Sequence, residues 1–170
     1  MDFSKLKVEH IKINQDYFIK YANASKELKS LIIKTPLLYL PFGIDKQYDN
    51  YILSLQLKKT HDNEHNKKID AFLTFIKDLE KHLEKETGIH IKSQLRQSSK
   101  YPPILTTKVI KYNTKIATKV LRENTKENIN IFSLDKGASL EADLIIDKLW
   151  EYNDELTYKM KLQTIYIQSV

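Results

Sequence analysis

The sequence predicts a mainly β chain, a β-rich α+β fold in which short antiparallel strands form a small barrel under one long amphipathic helix. Three observations carry this expectation. Several short runs alternate apolar and polar residues, as in Tyr51-Ile52-Leu53-Ser54-Leu55-Gln56-Leu57-Lys58. One run, about residues 67–87, instead spaces its apolar residues by three and four. Pro and Gly punctuate the segments between them.

In chain order, Val8 to Ile13 alternates Ile11 and Ile13 with His10 and Lys12, which reads as a short strand. Residues 17–30 fit either a short helix or a loop. Leu31 to Gly43 is strongly β, and Pro36 and Pro41, which lack amide donors, require a bulge, an edge or a strand end. Gly43 to Asn50 reads as a turn back into the strand 51–58, where Tyr51, Leu53, Leu55 and Leu57 share one face. The helix carries Ile69, Phe72, Leu73, Ile76, Leu79 and Leu83 on its stripe, with Asn66 or a neighbour as its cap and Gly88 as its end. Its outer charges nearly balance, so it reads as a lid and not as a recognition helix.

Asn128 to Phe132 reads as another short strand, and Asp135-Lys136-Gly137 as a turn. Residues 138–152 give one long strand or two. In the last strand Leu156, Tyr158, Met160 and Leu162 line one side, and Ile165 and Ile167 then switch face, which asks for a bulge near Gln163. So many strands must dispose of their edges, and a closed barrel does so. The five-stranded oligonucleotide-binding (OB) barrel is the nucleic-acid example. The expectation is one domain over 1–170, with residues 1–30 as an extension packed on the barrel.

Composition narrows the function. The chain of 170 residues has no cysteine, which excludes disulfides and cysteine-ligated zinc or iron. Its three glycines build no phosphate-cradling loop. No apolar run approaches the ~20 residues that span a bilayer, and the start lacks a signal-peptide core. The expectation is a cytoplasmic or nuclear protein that is not secreted, has no membrane partner and needs no cofactor. A net charge of +6 favours anionic partners.

Gly88 to Lys126 concentrates that charge. Lys92, Arg96, Lys100, Lys108, Lys111, Lys115, Lys119, Arg122 and Lys126 face one acid, Glu123. Tyr101 and Tyr112 lie among them, and Ile104, Leu105, Val109, Ile110, Ile116, Val120 and Leu121 make the stretch too apolar for a solvated tail. It reads as a β-ribbon with one positive side. Cations interleaved with aromatics suit a single-stranded polyanion, ammonium groups holding phosphates and rings stacking bases. The plainer reading is a solvated sheet face.

Alternation places Lys108 and Tyr112 on one side of the ribbon. Spacing by four keeps Lys92, Arg96 and Lys100 together, and Lys159 and Lys161 occupy the polar side of the last strand. If these groups converge they form a groove several phosphates long, with Lys111 and Lys115 beside it and Tyr101, Tyr112 or Trp150 as stacking platforms. Trp150 fits equally a core plug. Tyr39, Phe42 and Tyr51 read as core, and Tyr48, Tyr112 and Tyr152 as surface. No base-edge reader is evident, so weak sequence preference is expected.

His61-Asp62-Asn63-Glu64-His65 spells an inverted zinc-protease motif, which works only when both histidines lie on a helix. Here it precedes the apolar stripe, in a polar connection, and no catalytic residue or metal ligand is assigned. The acidic residues Glu141, Asp143, Asp147, Glu151, Asp154 and Glu155 could face away from the nucleic acid, reject duplex, or dock on the basic ribbon of a second copy. The last option would give a homo-oligomer.

Thr35-Pro36-Leu37-Leu38-Tyr39-Leu40-Pro41-Phe42-Gly43, the strand 51–57, and the helix with Phe72, Phe75, Ile76 and Glu80 form a recognisable pattern. Tyr101-Pro102-Pro103-Ile104-Leu105-Thr106-Thr107-Lys108-Val109, Lys136-Gly137-Ala138-Ser139 to Leu149-Trp150, and Lys159-Met160-Lys161-Leu162 complete it. Over about residues 30–168 the chain is similar to the barrel-type single-stranded-DNA-binding proteins of nucleocytoplasmic large DNA viruses. The resemblance implies a non-enzymatic role in viral DNA replication, recombination or repair, coating exposed strands in the host cytoplasm or nucleus. A protein-interaction or virion structural module and an RNA-binding protein are the alternatives.

Overall fold

The computed structural model describes residues 1–11, 16–22 and 28–168. The strands are β1 (Leu6–Ile11), β2 (Asp16–Ala22), β3 (Leu28–Lys34), β4 (Leu38–Tyr39), β5 (Ile44–Gln47), β6 (Asn50–Gln56), β7 (Leu95–Arg96) and β8 (Ile104–Val109). They continue as β9 (Lys111–Tyr112), β10 (Lys115–Ile116), β11 (Lys119–Arg122), β12 (Ser139–Ile146), β13 (Lys148–Tyr152), β14 (Glu155–Tyr158) and β15 (Met160–Ile167). The helix α1 (Asn63–Thr87) lies between β6 and β7.

Five of these strands close a barrel. β4 pairs with β6, β6 with β8, β8 with β15, β15 with β12, and β12 returns to β4. All are antiparallel except β8 with β15. The fold is mostly β, a closed five-stranded barrel with one helix, consistent with an OB fold. Alternation explains the closure. Leu53, Leu55, Leu105, Val109, Leu140, Leu144, Leu162 and Ile165 all point inward and are buried. Each such side chain stabilises the fold by about 1.5–3 kcal/mol relative to exposure.

The first barrel strand bends at Pro36, between β3 and β4. Thr35 bridges the break, its backbone N–H donating to Ala142 O at 2.9 Å and its Oγ1 accepting from Ala142 N at 2.9 Å. The bulge expected near Gln163 is present. Asp143 is opposite Thr164 and Leu144 opposite Leu162, which leaves Gln163 as the extra residue. Beyond the barrel, β1 and β2 pair with each other, and β2 also joins β3 and the β13–β14 hairpin.

Four local expectations need correction. Of residues 17–30, read as helix or loop, 17–22 belong to β2 and 28–30 begin β3, because pairing with β1, β13 and each other supplies what local propensity does not, while 23–27 lie outside the described residues. Gly43 to Asn50 is not all turn: β5 pairs back on β6, and only Tyr48 and Asp49 turn. Asn128 to Phe132 is not a strand. A single bridge joins Asn128 to Leu121, and Ile131–Ser133 is a 3-10 turn capped by the Asn130 side chain. Lys12 and Ile13 of the first expected strand lie outside the described residues.

The fourth correction is the start of α1, four residues earlier than the apolar stripe suggests. Asp62 is its cap, accepting from Glu64 N at 2.9 Å and His65 N at 3.3 Å. Asn66 sits inside the first turn and bonds the Thr60 backbone instead. Gly88 ends the helix in the left-handed conformation, φ 72°, as expected of a glycine stop. Ile69, Phe72, Ile76, Leu79 and Leu83 bury the stripe.

Candidate nucleic-acid interface

The interface is organised on β8, where Leu105, Thr107 and Val109 are buried and Ile104, Thr106 and Lys108 alternate outward. Lys108 stands opposite Ile52 of β6 on one side and opposite Lys161 of β15 on the other. The row continues through Ile145 of β12 to Ile32 of β3. Two ammonium groups therefore lie side by side, flanked on both sides by isoleucines, with Asp45 of β5 beyond Ile52 at the far end of the row. Like charges directly opposite on neighbouring strands repel.

Asp147 answers one of them, its Oδ2 3.1 Å from Lys161 Nζ. Lys108 has no acidic partner among the described residues. Burial first, then the charges of Lys161, Lys159 and Lys111, hold the Lys108 ammonium below the ordinary lysine value. Folding thus brings Lys108, Lys111, Lys159 and Lys161 into one electrostatic neighbourhood.

Beyond Lys108 the strand stops at Val109. Lys111 and Tyr112 open the separate β9–β10 hairpin, so alternation from Lys108 does not orient Tyr112. The hairpin base is clamped by Thr118, whose Oγ1 accepts from Ile110 N at 2.8 Å and donates to Leu162 O at 2.6 Å. Tyr112 pairs with Lys115 across the hairpin and is 71% exposed. Lys111 Nζ donates to the Asp49 carbonyl and so ties this hairpin to the β5–β6 hairpin. At that second tip Tyr48 is 97% exposed with φ 55°, a conformation uncommon for a bulky residue.

At the other end of β8, Arg96 lies opposite Ile104, and Ile104 opposite Gln56. The loop between β7 and β8 carries Lys100 and Tyr101, with Lys100 Nζ 5.5 Å from the tyrosine ring centroid. Tyr101 and Phe42 flank a groove of about 660 Å³ that also reaches Arg96, Gln56 and Ile104. Phe42, expected in the core, is 64% exposed. The chain leaves β4 at Leu40, and the bend at Pro41-Phe42 carries the ring outward.

Lys92, Arg96 and Lys100 fall on three different elements, so spacing by four does not group them. Lys92 is exposed beside β14, its N–H donating to Leu156 O at 2.7 Å. Trp150 is half-buried on β13, opposite Asp16 and Thr157. Its strand partners are Asp16 and Thr157 and not a lysine, so Trp150 does not belong to the Lys108–Lys161 row. Of the acidic segment, Asp147 faces the lysines and Asp143 accepts from Tyr166 Oη at 3.0 Å.

Helix α1 holds the segment that carries these cations. Buried Glu80 accepts from Ser93 Oγ at 2.8 Å and from Tyr158 Oη at 2.5 Å. Burial, and then Glu80, push the Tyr158 phenol well above its ordinary value. Glu84 accepts from Ile91 N at 2.9 Å and lies 2.8 Å from His90 Nδ1. The two histidines of the zinc-like motif are not on one helical face. His61 precedes the Asp62 cap, and His65 Nε2 lies 2.9 Å from Lys58 O.

Sequence reasoning missed Phe42 and Phe132, the latter 51% exposed and edge-on to Tyr51 at 5.0 Å. For Phe42 the signal was there: a large ring between Pro41 and Gly43 sits in a bend, where burial is hard to arrange.

No known protein family matches the chain, and no curated protein sequence does. Solved structures do. The crystal structure of gp2.5, a single-stranded DNA binding protein encoded by bacteriophage T7, is 10% identical, with 84% of this chain and 88% of that chain covered at a TM-score of 0.52. The single-stranded DNA-binding protein of bacteriophage Enc34 is similar in two structures. Its C-terminal truncation is 13% identical, with 98% and 95% covered at 0.56. Its complex with single-stranded DNA is 12% identical, with 98% and 96% covered at 0.57. What the chain shares with these phage proteins is the OB-like barrel.

Proposed function

We propose that the chain binds single-stranded DNA, holding phosphates on the lysine row and stacking bases on the exposed rings. The observation that carries this is the Lys108–Lys161 pair. Two adjacent ammonium groups with one carboxylate between them are costly in the free protein and are satisfied when an anion lies over both. The pair sits where the third barrel strand, β8, meets the fifth, β15, and its Lys108 member borders the second strand, β6, on the strand 2–3 surface that OB folds use for oligonucleotides. Tyr48 and Tyr112 stand exposed on two hairpins at the Lys108 end of β8, Phe42 and Tyr101 stand exposed on loops at its other end, and only an unpaired base offers a free π-face to such rings.

The fold shared with two phage single-stranded-DNA-binding proteins supports a role in DNA replication, recombination or repair. The similarity to proteins of nucleocytoplasmic large DNA viruses supports the narrower reading, in which the protein coats strands at a replication site in the host cytoplasm or nucleus. On this reading residues 1–170 act as one binding domain, residues 1–30 are accessory to the barrel, and no chemical step is catalysed. Fluorescence anisotropy with labelled oligo-dT at about 50 and 200 mM salt tests it. The expected result is binding at low salt that falls steeply at high salt and exceeds duplex binding. No binding at low salt, or equal affinity for duplex, contradicts it.

A further inference from the structure

The groove at the Arg96 end of β8 holds chemistry that backbone binding does not need. Gln56, Ile104 and Arg96 form one row across β6, β8 and β7, about 10 Å from first to last at ~4.8 Å per strand. Half-buried Ile104 is an apolar floor, with an amide on one side and a guanidinium on the other. Neither Gln56 nor Arg96 makes a side-chain hydrogen bond or ion pair with a described residue. Phe42 and Tyr101 stand as exposed rings on two different loops beside this floor.

We infer that this groove is a base pocket that takes a guanine from the bound strand, an inference that rests on the single-stranded-DNA reading. An apolar floor between aromatic walls suits a flat ring, and a few convergent polar groups fix its identity. A purine spans the row, while a pyrimidine is too short to meet both sides. Arginine pairs bidentately with the O6 and N7 acceptors of guanine, whereas adenine places its N6 donor there. The opposite edge of guanine carries donors, including the 2-amino group, which donates to the side-chain amide oxygen of Gln56. Guanine is the base that satisfies both side chains at once.

Competition anisotropy tests this with oligo-dT of about twelve nucleotides, either unmodified or carrying one central dG, dA or dC. The dG oligomer is expected to compete at least about fivefold better than the others, the lower end of what a bidentate base contact is worth. Replacing dG by 7-deaza-dG, which removes the N7 acceptor and leaves the protein untouched, should erase most of that advantage. Gln56→Leu should reduce it as well. Equal competition by all four oligomers, or a dG advantage that survives the deaza substitution, overturns the guanine pocket while leaving single-strand binding intact. If no oligomer binds at all, the underlying reading falls with it.

Discussion

Lys108 and Lys161 stand directly opposite each other on the parallel strands β8 and β15, and Lys108 has no acidic partner among the described residues. A sheet selected for stability alone would place a carboxylate or a neutral residue at one of these positions. The repulsion ties the stability of the barrel to its proposed ligand, and it separates the two in experiment.

Lys108→Met keeps the length of the side chain and removes its charge. The free protein should become more stable, by no more than about 1 kcal/mol, since a half-exposed pair is screened by solvent. For a chain of this size that is a rise in Tm of at most about 2–4 °C. Oligo-dT affinity should fall in the same variant. Thermal unfolding and anisotropy on one preparation check both signs, and a variant that is less stable and binds as well as wild type would contradict the assignment.

The depressed Lys108 value has a pH consequence. Between the folded value and the ordinary lysine value the unfolded chain holds more proton, so this group's contribution to stability rises as pH increases through that window. Binding goes the other way, because a phosphate requires the ammonium form. Affinity for oligo-dT should begin to fall at a lower alkaline pH than an ordinary lysine would give, and binding there should be accompanied by proton uptake. Lys108→Arg, which stays protonated, should move the loss to higher pH. Titrations in buffers of different ionisation enthalpy read the proton uptake directly.

Glu80 should matter to the fold before it matters to the ligand. Glu80→Ala leaves Tyr158 Oη and Ser93 Oγ without their shared acceptor in a buried site. The expected cost is about 1–3 kcal/mol in urea unfolding, with a smaller loss for Glu80→Gln, which can still accept. A neutral Glu80→Ala would mean that α1 does not anchor the segment that carries Arg96.

The exposed rings should behave oppositely. Tyr101→Ala and Phe42→Ala remove side chains that are 59% and 64% exposed, so Tm should hardly move. Each should weaken oligo-dT binding by about 1–3 kcal/mol if a base stacks there. Unchanged affinity in both variants would remove this end of β8 from the DNA path.

Much of the barrel was legible because its strands alternate cleanly. The inward set Leu156, Tyr158, Met160 and Leu162, and the face switch that marks Gln163, follow from period two alone. The convergence of Lys108 with Lys161 was legible only as a condition, because parallel pairing of β8 with β15 is a long-range choice that neither segment encodes. β2 and β5 were missed for a related reason, since their pairing partners decide their conformation and not their own composition. Phe42 was misplaced because a hydrophobic ring was weighed by its burial tendency and not by the Pro–Gly bend that holds it. The grouping of Lys92, Arg96 and Lys100 failed because a spacing argument needs a regular element, and these residues span a bridge, a two-residue strand and a loop.

The claim that the rest depends on is that the Lys108–Lys161 row carries backbone phosphates. The slope of log affinity for oligo-dT against log salt measures this most directly, in the wild type and in Lys108→Gln/Lys161→Gln. Each phosphate contact on a single strand contributes about 0.7 to the slope. The account predicts that the double variant loses about 1.4 from the slope magnitude and binds more weakly at low salt. An unchanged slope with unchanged affinity would show that the strand runs elsewhere.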